Sequence, residues 1–231
     1  MVSKIREKIF SGEKINFEEI ALSLFEFQYL NNPIYRQFTD YLNINYKKVQ
    51  SISQIPFLPI DFFKTHSILT QNAAIEKIFE SSGTTGQITS KHFVADLSLY
   101  EQSFINGFEL FYGAAADWII LALLPSYLER NTSSLVYMVD DLIKKTNNEH
   151  SGFYLNNLQE LAQKITYLKE IKNNKKILLI GVTFALLDFA EQFPMDLTEV
   201  VIMETGGMKG RRKEMMREEV HAILKQNFNV P

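Results

Sequence analysis

The sequence predicts an α/β protein with a layered αβα arrangement, a mostly parallel sheet flanked by helices. Three observations predict it. Apolar runs of strand length alternate with segments of helical period through the second half of the chain. Glycine-bearing loops stand where those strands end, the place at which open parallel sheets gather their ligands. Finally, 46% of the 231 residues are apolar, enough for a sizeable core.

Residues 1–70 read as a helical region followed by an extended connector. In "NFEEIALSLFEFQYLNNPIYRQFTDYL" the residues Ile20, Leu22, Leu24, Phe25, Phe27 and Leu30 form a broad apolar stripe. Asn16 with Glu19 three residues later predicts a capping box at its start. "NNP" interrupts the stripe, and a second helix is expected from about Ile34. Pro56 and Pro59 in "SISQIPFLPIDFFKTH" favour extended chain over helix.

Residues 71–231 read as the α/β region. "FESSGTTGQITSKHFVAD", Phe79 to Asp96, places a Ser/Thr/Gly loop between two strands, and Asp96 is a good helix cap. Leu97, Tyr100, Phe104, Phe108 and Phe111 then recur at helical spacing. "DWIILALLPSYLER" predicts a buried strand running into a loop at Pro125, and helices follow through "SLVYMVDDLIKKT" and "NLQELAQKITYLKEIKN". "KKILLIGVTFALLDFAEQF" predicts strand, turn at Gly181 and helix. "LTEVVIMETGGMKGRRKEMMREEVHAILKQNF" repeats that order, with Gly206 and Gly207 at the turn.

Composition narrows the function classes. A formal net charge of −3 gives no whole-chain reason to expect nucleic acid or an anionic membrane as partner. With no Cys, the chain has no disulfide, no thiolate metal site and no cysteine nucleophile of its own. Eighteen Phe and ten Tyr against one Trp suggest large aromatic packing surfaces or a pocket for an apolar ligand. The opening "MVSKIREKIFSGEKINFEEI" turns charged too early for a secretory signal. The longest apolar run, "ILLIGVTFALL" (Ile177–Leu187), falls short of the roughly 20 residues that span a bilayer. A cytoplasmic protein without a membrane span is expected.

The loop Ser81–Gly86 carries the sharpest chemical signal. Gly83 and Gly86 permit backbone conformations that turn successive N–H groups into one concavity. Ser81, Ser82, Thr84 and Thr85 add four short hydroxyls, and Lys91 brings a cation if the hairpin folds back. Ser, Thr and Gly also dominate ordinary turns. A tight hairpin needs fewer of them, so phosphate binding is favoured. The loop is not a Walker A motif, because no Gly-Lys stands at the required spacing after Gly83.

"SSGTTG" resembles the ATP-binding loop of the adenylate-forming superfamily. Its departure from the usual Gly-x-Pro-Lys continuation resembles one branch, the acyl-protein synthetases of the bacterial bioluminescence type. "FEFQYLNNPIYRQF", "IPFLPIDFFKTH", "LLPSYLERNTSSLVYMV" and "METGGMKGR" are similar to that branch in the same order, from about Phe17 to Arg212. The resemblance implies the N-terminal part of an adenylate-forming large domain. It also implies activation of a fatty acid or other carboxylic acid by MgATP through an acyl-adenylate, with transfer to a thiol acceptor, a protein Cys or CoA. An acyl reductase or carrier protein is an implied partner. Ser81, Ser82, Gly83, Thr84, Thr85 and Gly86 would cradle phosphates of ATP. Lys91 sits two residues later than the superfamily's loop lysine.

Gly206 and Gly207 fall where relatives lay backbone against adenine; a plain strand-to-helix turn is the other reading. Pro125, Ser126 and Tyr127 fall where relatives gate the acyl pocket. Phe184 and its apolar run would suit either an acyl site or a core. His92 reads as structural, and the cluster Lys209, Arg211, Arg212, Lys213 and Arg217 reads as a solvated helix face without catalytic role. The superfamily's next block, aromatic-Gly-x-Thr-Glu with its Mg²⁺-holding side chains, does not occur in these residues. The chain is therefore expected to be about two-thirds of an enzyme and inactive or nearly so by itself. An acyl-CoA ligase of the phenylacetate-CoA ligase type and a non-catalytic binding module are the alternatives.

Overall fold

The computed structural model describes residues 2–12, 14–71, 73–81, 88–125, 130–171, 174–208 and 211–231. Contacts within the chain group into two compact units, 1–100 and 101–231, and the division falls inside one helix.

The first unit opens with α1 (Val2–Phe10), α2 (Phe17–Asn31) and α3 (Pro33–Tyr41). Asn16 caps α2 as expected, its side chain accepting from the Glu19 N–H at 3.3 Å. The reciprocal arm of the expected capping box is not made. Glu19 pairs instead with Lys8 of α1 at 2.8 Å. A long cation one helix away competes successfully with a local backbone N–H, because a charged hydrogen bond is the stronger partner. Asn32 is buried and serves two helices. It ends α2, and its side chain accepts from the Tyr35 N–H at 3.1 Å to start α3, with Pro33 at the first position.

The connector is not extended throughout. Short 3₁₀ turns occupy Tyr46–Lys48 and Ile52–Gln54, and the one-turn helix α4 spans Phe62–Thr65 just past Pro59. Pro59 lies before that turn, where it leaves the turn's own N–H donors intact. The Tyr35 hydroxyl fixes the connector by donating to the Pro56 carbonyl at 2.7 Å. An antiparallel hairpin of β1 (Lys77–Glu80) and β2 (Lys91–Val94) completes the unit.

The helix α5 (Leu97–Tyr112) crosses from the first unit into the second. Asp96 stands before it and accepts from the Ser98 hydroxyl at 2.5 Å and from Arg6 at 3.0 Å. Those contacts, the Ser98 bond foremost, hold its carboxyl below the usual range. Phe104 and Phe108 are buried, but Phe111 is 79% exposed, so the predicted stripe stops one turn early. Phe108 and Tyr112 turn instead onto Trp118, whose ring N–H donates to the Tyr112 carbonyl at 3.0 Å.

Four parallel strands form the sheet of the second unit: β3 (Trp118–Leu123), β4 (Gly152–Phe153), β5 (Lys176–Gly181) and β6 (Val200–Glu204). Their spatial order is β4-β3-β5-β6, and the connections are α6 (Ser134–Thr146), α7 (Leu158–Glu170) and α8 (Thr183–Gln192). With this strand order, the right-handed rule for parallel crossovers expects α6 on one face and α7 and α8 on the other. Every residue of β3 is buried, as are Ile177 to Gly181 of β5. Strands covered on both faces read as unbroken apolar runs, as "WIILAL" and "ILLI" do. The helix α9 (Arg217–Phe228) packs on α8, with Phe228 against Phe189 at 5.6 Å between ring centres. No described helix is long and apolar enough to cross a membrane.

Candidate functional site

Register decides what the hairpin presents. Glu80 faces Lys91 in the last strand pair. One residue further on, the Ser81 N–H donates to the Ser90 carbonyl at 3.0 Å, and the Ser90 N–H donates to Ser81 Oγ at 3.0 Å. The hairpin is therefore closed at Ser81–Ser90 by backbone and hydroxyl together. Ser81 Oγ is used there as an acceptor and keeps its own proton to donate. Ser82, Gly83, Thr84, Thr85 and Gly86 lie outside the described residues. Lys91 pairs with Glu80 at 3.7 Å, and its side chain is 53% exposed. Such a loose, solvated pair is worth little, so a phosphate would compete for that ammonium readily. His92 sets its ring edge-on to Phe63 at 5.9 Å, a packing role.

The second feature lies at the carboxyl edge of the sheet. The chain leaves β3 outward to β4, then returns past β3 to β5, so the order reverses between β3 and β5. That reversal opens the crevice in which doubly wound sheets bind ligands. Leu124 and Pro125 follow β3 there, Pro125 half-buried, while Ser126 and Tyr127 lie outside the described residues. One residue, Val182, separates β5 from α8. Gly181 is tightly enclosed: a Cβ there would lie 2.9 Å from both Leu123 Cβ and Leu186 Cγ. Phe184 is buried as part of α8, with the Arg211 guanidinium over its ring at 5.0 Å. It belongs to the core.

Beyond β6 the chain turns at Thr205, whose N–H and hydroxyl both donate to the Gly181 carbonyl, at 2.9 and 3.1 Å. Gly206 and Gly207 follow with exposed backbone, and Gly207 has φ +111°, a conformation that disfavours any side chain. Met208 is buried again. A cleft of about 410 Å³ opens at this turn, within the size range of small-molecule sites. Gly206 and Gly207 form one wall, Met208 and Val220 supply apolar surface, and Thr183 and Glu204 supply polar groups. Glu214, Met215 and Arg217 stand at the rim. The Thr183 hydroxyl donates to a Glu204 carboxylate oxygen, and among the described residues Thr183 is the one partner of that carboxylate.

The basic cluster after the glycines is not a helix face. Arg211, Arg212 and Lys213 precede α9, in the connection over residues 205–216; Arg217 is the first residue of α9, and Lys209 lies outside the described residues. Arg212 donates from Nε to Asp188 at 2.9 Å, and from its two terminal nitrogens to Glu191 at 2.8 and 2.7 Å. The Arg212 hydrogen bonds hold the Glu191 carboxyl below its ordinary range and push the Arg212 guanidinium up. The glycine turn is thus fastened on both sides, by Thr205 to β5 and by Arg212 to α8. At α9 the Met216 N–H donates to the Glu219 carboxylate at 2.9 Å, so a side chain of the helix itself serves that terminus.

Sequence reasoning missed the Thr183–Glu204 pair and the Arg212 clamp. Each residue of the first pair stands at a strand end or just past one, but it is the adjacency of β5 and β6 that brings the two together. Among the described residues no three His, Asp or Glu side chains gather as a metal site. Comparison with protein-family models and with curated proteins gives no match.

Proposed function

We propose that the chain is an ATP-dependent, carboxylate-activating protein of the acyl-protein synthetase type. Ser81–Gly86 would hold phosphates of ATP, with Lys91 released from Glu80 to help. The cleft beside Gly206 and Gly207 would take the adenine, and Pro125, Ser126 and Tyr127 would border the acyl group. The observation that carries the reading is the cleft at the carboxyl edge of a parallel sheet, walled by the exposed backbone of two glycines. The ordered sequence blocks support it independently. The substrate is a fatty acid or other carboxylic acid, the acceptor is a thiol of a protein Cys or CoA, an acyl reductase or carrier protein is the partner, and the location is cytoplasmic.

Catalysis in this chemistry is positioning and charge neutralisation around the α-phosphorus. Mg²⁺ would supply charge neutralisation on the phosphate oxygens. Within the second unit, glycine backbone would orient the base; the phosphate role of the loop is what the resemblance implies. Without an aromatic-Gly-x-Thr-Glu block in these residues, we expect nucleotide binding with little or no turnover.

A stable acyl-sulfamoyl-adenosine, which joins both halves of the acyl-adenylate, tests the reading by calorimetry. It should bind at least about tenfold more tightly than AMP, since one ligand then fills base and acyl positions together. Equal affinity for both, or binding of neither, would reject the proposal.

A further inference from the structure

We propose that Glu204, oriented by Thr183, reads the exocyclic amino group of the base, so that the cleft selects a 6-aminopurine over a 6-oxopurine. The inference rests on the reading that this cleft takes the base of a nucleotide.

Three features of the cleft lead to it. First, its walls suit a flat ring. Gly206 and Gly207 present backbone without side chains, and a Cβ at Gly206 would meet nothing within 4 Å. Met208 and Val220, both buried, supply apolar contact. Second, Glu204 is the last residue of β6, so its backbone is held by pairing with Gly181 of β5 and its position is rigid. Third, the Thr183 hydroxyl engages one carboxylate oxygen, and no other described group pairs with the side chain. Thr183 is itself 4% exposed at the start of α8, so it cannot swing away.

A carboxylate accepts hydrogen bonds and donates none. An amino group at the purine 6-position satisfies it, whereas a 6-oxo group sets two acceptors against each other. Discrimination of this kind is large in a site built around a hydrogen bond, because the mismatched ligand leaves a polar group unpaired. Thr183 also fixes the sense of the readout. In Glu204→Gln its hydroxyl would keep the amide oxygen and turn the NH₂ toward the ligand. One acceptor then becomes one donor at the same place.

Equilibrium binding of AMP and of IMP, which differ in that one group, tests the proposal on the 231-residue chain. The wild type should prefer AMP by at least about tenfold, a single well-placed hydrogen bond. Glu204→Gln should abolish or reverse the preference. Thr183→Val should narrow it, and Thr183→Ser, which retains the hydroxyl, should restore it. A merely structural role for either residue would weaken both nucleotides alike and leave the ratio unmoved. If the wild type binds AMP and Glu204→Gln leaves the ratio unchanged, the base-reading role is overturned while the nucleotide reading stands. If a folded wild type binds neither nucleotide, the function proposed above fails and this inference falls with it. Should Glu204→Gln not fold, the two Thr183 variants decide the same question through the same ratio.

Discussion

Arg212 donates from Nε to the Asp188 carboxylate at 2.9 Å and so ties the connection after β6 to the middle of α8. The guanidinium fork spans Asp188 and Glu191, one helical turn apart. Planar, multidentate geometry sets this contact apart from an ordinary surface ion pair. Arg212→Ala should lower unfolding free energy by about 1–2 kcal/mol in chemical denaturation. Arg212→Lys, which has the charge without the fork, should recover less than half of that.

Acid should loosen the same clamp. Arg212 holds the Glu191 carboxyl below its ordinary range. A depressed folded-state pKa stabilises the protein above the unfolded-state value, near 4.3, and that contribution is lost as pH falls through the folded value. The melting temperature of wild type should therefore exceed that of Glu191→Gln at neutral pH. The gap should close as pH is taken below about 4. A gap independent of pH would show that the charge of Glu191 is irrelevant to the clamp.

Two glycines should respond in opposite ways. Gly181→Ala would drive a methyl to 2.9 Å from Leu123 Cβ, an atom no rotamer can move, and should cost about 1–3 kcal/mol of stability. Gly206→Ala meets open space and should stay within about 0.5 kcal/mol of wild type. Under the proposed function it should nevertheless weaken nucleotide binding, because the new methyl stands in the wall on which the base lies. Thermal denaturation and calorimetry on the pair separate the two effects.

Alkali should find Tyr35. Burial pushes its phenol up to about 12. A raised folded-state pKa gives a contribution fully present below the unfolded value, near 10, and lost as pH rises through the folded one. Wild type should lose stability relative to Tyr35→Phe across that window, followed by phenolate absorbance. At neutral pH Tyr35→Phe should cost about 1 kcal/mol, since the Pro56 carbonyl loses its donor.

The sheet was legible where burial is two-sided. In β3 and β5 nearly every residue is core, so the apolar runs marked both strands and their ends. The edge strand β4, Gly152–Phe153, carries too few residues for any period, and it exists because β3 offers a parallel edge at Leu121 and Ala122. Phe111 matched a helical stripe yet faces solvent, because the aromatic packing ends at Phe108, Tyr112 and Trp118. Glu19 matched a capping box yet turned to Lys8, a residue that local spacing does not see.

Within the candidate site, the turn at Gly206 and Gly207 was legible from the glycine pair itself, and Gly207 has the positive φ that favours glycine. The pairs Thr183–Glu204 and Arg212–Asp188 were not found. Each joins residues more than twenty positions apart, and the first depends on β5 and β6 lying side by side with Gly181 opposite Glu204. Sequence spacing carries no trace of strand order.

The central claim is that Ser81–Gly86 engages the phosphates of a nucleotide, and the affinity ratio of ATP to adenosine measures it most directly. Wild type should bind ATP at least about tenfold more tightly than adenosine. The double variant Thr84→Val/Thr85→Val, lacking two of the loop hydroxyls, should bring the two affinities together while leaving adenosine binding in place. A ratio that the double variant does not move, or a wild type that ignores ATP, would contradict the account.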